Sequence, residues 1–191
     1  MSRKLITAPV NEAVELADAK LHLRVTASDE DSLIGLLTAS AREECENEIR
    51  RALITQTWEK YLDSFPDAIP LFYPPLQGVN SVKYVDVNGV LQTLANTEYL
   101  VDDKQEPAWI VPALGKTWPA TSGQINAVIV NFTCGYGDTA AAVPKGIRNW
   151  IMMRLTSLYN NRDEVVIGVA TIQRPAYLDG LLDRYRVALL A

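Results

Sequence analysis

Residues 28–58 read SDEDSLIGLLTASAREECENEIRRALITQTW, and the fold turns on a change of period inside this run. From Ser28 to Leu53 the apolar residues Ile34, Leu37, Ala41, Cys45, Ile49 and Leu53 recur every three or four positions, with Arg42, Glu43, Glu46, Asn47 and Arg50 on the other side. That spacing predicts one long amphipathic helix. Ser28 is placed to cap it with Asp31 three residues on, and Asp29 and Glu30 put negative charge where the helix dipole favours it. After Leu53 the pattern becomes strand-like through Ile54-Thr55-Gln56-Thr57-Trp58. The helix is stable only with its stripe covered, by the two C-terminal helical stretches or by the same helix of another subunit.

The chain has 191 residues, 48% hydrophobic and 21% charged, which is ordinary globular usage and enough length for one folding unit with a real core. Its net charge is -5 without any cluster of Lys and Arg, a poor basis for gripping phosphates, although DNA passing nearby without being held is compatible with it. Met1 to Pro9 contains Arg3 and Lys4 but no long apolar run, so it does not read as a secretory signal, and no stretch approaches the ~18 apolar residues of a membrane span. A soluble, cytoplasmic product is expected. Cys45 and Cys134 follow no disulfide or metal pattern and are expected as buried thiols.

Glu12 to Leu23 is a short helix candidate with Val14, Ala17 and Leu21 on one face. Between Thr55 and Cys134 the sequence reads as about seven short strands: 57–62, 69–72, 81–87, 90–94, 99–102, 108–111 and 127–134. Pro74-Pro75 marks the second as an edge, and Asn88-Gly89 predicts a tight type I′ hairpin. Pro144 opens a helix with Ile147, Ile151, Leu155 and Leu158 on one face. Val165 to Ile172 is apolar and β-branched, and Pro175 opens a last helix striped by Leu178, Leu181, Leu182, Tyr185 and Leu189. The expected class is α+β: a helical bundle from the long N-terminal helix and two C-terminal helices, carrying an antiparallel β insertion. The organisation is 1–54, arm and N-terminal helices; 55–138, β insertion; 139–191, C-terminal helices and partner-binding segment.

Reactive groups are sparse. His22 is the only histidine, which removes His-based metal sites and allows a Ser/His/Asp triad only if this one residue serves; with no nucleophile signature near it, it reads as a plain surface or half-buried histidine. Asp102, Asp103 and Glu106, with Asp86, are the carboxylates a small hydrolase would use, but acidic turn residues are usually just solvated and the spacing matches no EF-hand loop. Gly135-Tyr136-Gly137 lacks the rest of any phosphate-binding motif and reads as a strand-to-helix turn. Trp58, Trp109, Trp118 and Trp150 are scattered as packing residues are. No catalytic, cofactor-binding or metal residues are therefore assigned. The surfaces that ask for a partner are apolar: Val165, Val166, Ile167 and Ile172, then Leu178, Leu182, Tyr185 and Leu189.

The order of Glu12 to Val25, Asp29-Glu30-Asp31, Arg51 to Trp58, Pro74-Pro75-Leu76-Gln77-Gly78-Val79, Trp118-Pro119, Phe132 to Gly137 and Val143-Pro144 resembles the head-tail connector (neck adaptor) proteins of long-tailed double-stranded DNA phages, prophages and gene-transfer agents, in their longer form with a β insertion. The resemblance implies a virion structural protein rather than an enzyme, forming a ring of about a dozen subunits. It implies a portal protein above, a head-closure or tail protein below, and DNA crossing the channel without specific binding. It further implies assembly in the host cytoplasm and a final place at the virion neck. The C-terminal segment, Val165 to Ala191, is the part such adaptors turn to the portal. The rival readings are another neck component, head-closure or tail-completion, and the hydrolase built on Asp102, Asp103 or Asp86.

Overall fold

The computed structural model describes residues 2–161 and 180–187. The chain is mixed α and β, with antiparallel sheets, and divides into two compact units. Residues 1–10 and 55–136 form a β unit; residues 11–54 and 137–191 form a helical unit.

In the β unit, β1 (Ser2–Thr7), β2 (Gln56–Leu62), β8 (Val128–Cys134), β4 (Leu76–Val85) and β5 (Leu91–Leu94) make a five-stranded sheet in that order; β3 (Ile69–Leu71), β7 (Ala108–Pro112) and β6 (Tyr99–Asp102) make a three-stranded one. All seven strands expected between Thr55 and Cys134 are present. The eighth, β1, comes from what the sequence suggests is only an arm; it pairs with β2 from Ser2 opposite Tyr61 to Thr7 opposite Thr57. Period-two burial marks the inner faces: along β8, Val128, Val130, Phe132 and Cys134 are buried while the residues between them are not. Ile69, Leu71, Ala108 and Ile110 bring the smaller sheet into the same core.

The Asn88-Gly89 turn differs from expectation. Asp86 and Val90 close a three-residue loop, with the Gly89 N–H donating to the Asp86 carbonyl at 2.9 Å and only Gly89 at positive φ (80°). This is a type I turn followed by a left-handed glycine, not type I′. The Asp86 carboxylate accepts the N–H groups of Asn88 and Val90 and so fixes the longer loop.

The helical unit contains α1 (Leu16–Leu23), α2 (Asp31–Ile49) and α3 (Lys145–Asn160). The long helix is shorter than its stripe predicts: Arg50 takes the left-handed conformation at its C-cap, and Leu53 is buried beyond the helix rather than in it. Ser28 makes no side-chain cap; Glu30 is the N-cap residue, and the Asp31 N–H reaches the Ser28 carbonyl. The helix begins only at Leu16, so Val14 is buried ahead of it; within α1 Ala19 is the buried residue, whereas Ala17 and Leu21 face solvent. Arg42, expected on the outer face of α2, is instead buried, because three carboxylates compensate its charge: Glu12 and Glu46 at 2.7 Å, Glu43 at 3.4 Å. Ile34, Ala41, Cys45 and Ile49 of α2 pack with Ile147, Trp150, Ile151 and Leu155 of α3 in the core. Arg154 to Glu44 at 2.6 Å and Arg148 to Asp18 at 3.1 Å tie α3 to α2 and α1.

Most of the last helix expected from Pro175 lies outside the described residues. Its described end is a single 3₁₀ turn, Asp183–Tyr185, followed by extended Arg186. The Arg51 side chain donates to the Tyr185 carbonyl, and the Val187 N–H donates to the Ile49 carbonyl, so the backbone there leaves the helical path.

Candidate functional site

The carboxylates that would serve a hydrolase hold turns. Asp86 accepts two backbone N–H groups and the Gln92 amide, and these hydrogen bonds lower its pKa. Asp102 accepts the Lys104 N–H at 3.0 Å and the Gln105 amide at 2.7 Å, while Asp103 pairs with the Lys104 ammonium at 3.0 Å. None of these contacts joins a carboxylate to a nucleophile or to a second carboxylate, the geometry acid–base work requires. Among the described residues no group of three or more His, Cys, Asp or Glu side chains is arranged to hold a metal ion. His22 is exposed on α1.

Gly135-Tyr136-Gly137 is the turn out of β8. A Cβ at Gly137, where φ is 154°, would stand 2.8 Å from the Ala142 Cβ, so the glycine is required by the close approach of its own chain. The tryptophans are packing residues: Trp150 is buried in α3, Trp58 lies against Tyr73 at 4.8 Å, and Trp118 stacks on Phe65 at 4.7 Å. Both cysteines are buried thiols outside any disulfide; burial, and then the carboxylates of Glu46, Glu48 and Glu44, push the Cys45 thiol up and leave it inert.

Three cations among the described residues are buried, Arg42, Arg51 and Lys60, and the Arg51 side chain donates to the Tyr185 carbonyl. Arg42 sits among Glu12, Glu43 and Glu46 in the helical unit. Lys60 in the β unit is 1% exposed, donates to the Pro70 carbonyl at 2.5 Å and lies 4.4 Å from the centre of the Phe72 ring. Burial lowers its pKa to about 8.

Of the residues expected to meet a partner, Leu182 is wholly covered by its own unit, and Tyr185 lies over Gly146, where an added Cβ would meet its hydroxyl at 3.2 Å. Val165, Val166, Ile167, Ile172, Leu178 and Leu189 lie outside the described residues. The accessible features the sequence reading passes over are strand edges. All six residues of β1 are exposed, β5 exposes Leu91, and β6 exposes Leu100 and Val101. Their only sequence signal is an apolar residue on a strand that burial does not claim. No helix among the described residues is long and apolar enough to cross a membrane.

Residues 13–83 match the family model of the phage gp6-like head-tail connector protein, the family that the sequence motifs resemble. No curated protein matches the chain. Solved structures share the fold over its whole length. A chain from the neck of an empty GTA particle, computed with C6 symmetry, superposes with a TM-score of 0.82 at 20% identity, covering 100% of this chain and 98% of that one. A chain from the virion of a native gene transfer agent (GTA) particle gives 0.82 at 23% with the same coverage. One from the neck of the native GTA particle, computed with C12 symmetry, gives 0.78 at 22%, again with the same coverage.

Proposed function

We propose that this chain, which carries the head-tail connector signature over residues 13–83 and the fold of GTA neck chains over its full length, is a structural head-tail connector. Copies join head to tail in a closed ring of about a dozen subunits, one face of each meeting a different face of the next. The ring sits under the portal, extends the DNA channel and offers a platform to the head-closure protein or tail. It assembles in the host cytoplasm and ends at the virion neck.

In this role residues 11–54 and 139–191 form the common helical bundle around α2 and α3, and residues 55–138, joined by strand β1 of the arm, are an insertion into it, all one folding unit. Val165 to Ala191 engages the portal through Val165, Val166, Ile167, Ile172, Leu178 and Leu189, while Leu182 and Tyr185 brace that segment on its own unit. A net charge of -5 suits a wall along which DNA slides rather than binds. No catalytic, metal or cofactor group takes part. The carboxylates of the rival hydrolase reading are engaged in turns, which removes its support.

The observation that carries the reading is the likeness to neck chains from end to end. Sedimentation velocity and negative-stain microscopy of the concentrated protein, alone and with the portal of its particle, test it. Rings, alone or on portal, are the expected result; a monomer at every concentration that also ignores portal overturns it.

A further inference from the structure

In the β unit two strand edges line one groove. β5 covers only Val82–Val85 of β4, so the side of residues 76–81 away from β8 has no ladder partner among the described residues. β6 is the outer strand of the three-stranded sheet, and its side away from β7 is likewise unpaired among the described residues. Between them lies a groove of about 390 Å³, with Leu76, Gly78 and Val79 on one wall and Leu100, Val101 and Asp103 on the other. Open N–H and C=O groups on such edges are a template for an added strand.

Gly78 stands at a β-bulge, where the ladder of β4 with β8 shifts register between Leu76 and Gly78. A Cβ built there meets nothing within 4 Å, so the groove wall is open at this point.

We infer that this groove receives β1 of a second copy; the inference rests on the connector reading above and names the surfaces by which its subunits join. β1 matches the groove in three respects. Among the described residues it pairs only with β2, so its outer edge has no ladder partner among them. Its six residues, Ser2–Thr7, equal the open run of β4 in length. It carries Arg3 and Lys4 and no acid, whereas the groove lining carries Asp103, whose carboxylate also pairs with Lys104 beside it, and no cation. Leu5 and Ile6, both exposed in the free chain, supply apolar side chains for Val79 and Leu100. The strand edge and the groove are different surfaces of one subunit, as a closing ring requires.

The test places cysteines at Lys4→Cys and Val79→Cys in a chain whose Cys45 and Cys134 are replaced by alanine, and oxidises it under ring-forming conditions. A ladder of disulfide-linked multimers is expected. Gly78→Val, and separately Leu100→Glu, should each leave the melting temperature of the free chain in place while raising the concentration for half-assembly about tenfold or more. Rings that form without cross-links, or with both substitutions neutral, overturn the inference and leave the connector reading standing. Absence of rings both alone and on portal overturns the reading and the inference with it.

Discussion

Lys60 on β2 reaches out of one sheet to the Pro70 carbonyl on β3 of the other, its ammonium 2.5 Å from that oxygen. The contact satisfies a backbone acceptor but leaves a charge inside a core, which burial opposes. In the folded chain the pKa is lowered to about 8, against about 10.4 for an unfolded lysine. Between these values the unfolded state holds more protons, so this group's contribution to stability rises with pH through that window and is lowest below about pH 8. Buried Cys45, and Tyr61 and Tyr99, have raised pKa values and act in the opposite sense at alkaline pH. The measurement is therefore the difference between wild type and Lys60→Met in denaturant midpoint: relative to the variant, wild type should gain stability from about pH 7.5 to about pH 9.5. A flat difference would contradict the assignment.

Arg42 sets a second prediction. Burial works against its charge, and Glu46, Glu12 and Glu43 more than restore it. Arg42→Met leaves two of these carboxylates packed without their cation and should cost about 3–5 kcal/mol in urea unfolding. Adding Glu46→Gln, which keeps an oxygen for the Leu53 N–H that Glu46 now accepts, should recover part of the loss.

Two glycines should behave in opposite ways. Gly137→Ala forces a Cβ against Ala142 at a left-handed φ and should destabilise by about 1–3 kcal/mol. Gly35→Ala, inside α2 with nothing near its Cβ, should stabilise by about 0.5–1 kcal/mol. Thermal melts of the isolated protein distinguish the two.

The C-terminal segment separates docking from folding. Leu182→Ala, which removes a fully covered side chain, should cost about 2–5 kcal/mol. Val165→Asp with Ile167→Asp should leave the melting temperature in place and abolish pull-down of portal. Retained pull-down would move the portal contact elsewhere.

Much of this architecture is legible in the residues themselves. The seven strands after Thr55 announce themselves through alternation and turn residues, and α2 and α3 through their three-four spacing, because each buries one face against its own unit. What is not legible are features whose partners lie far off in sequence. β1 shows no alternation because none of its six residues is buried, so only the pairing of Ser2 with Tyr61 reveals it. Arg42 looks like a surface residue of a polar helix face until Glu12, thirty residues earlier, is seen beside it. The hairpin of Asn88-Gly89 is set by the carboxylate of Asp86, which a dipeptide preference ignores. The groove between β4 and β6 leaves no trace of its own, since Gly78 on its wall reads only as the bulge it makes against β8.

The chain crosses from one unit to the other at residues 10/11, 54/55 and 136/137, and this ordering governs its birth on the ribosome. Ser2–Thr7 is made before its ladder partner Gln56–Leu62, which follows some fifty residues later, a wait of several seconds at about 5–20 residues per second. Once Cys134 has emerged the β unit holds every strand of its two sheets, while α2 still lacks α3. Translation thus supplies the sheets in full before the two long helices can meet.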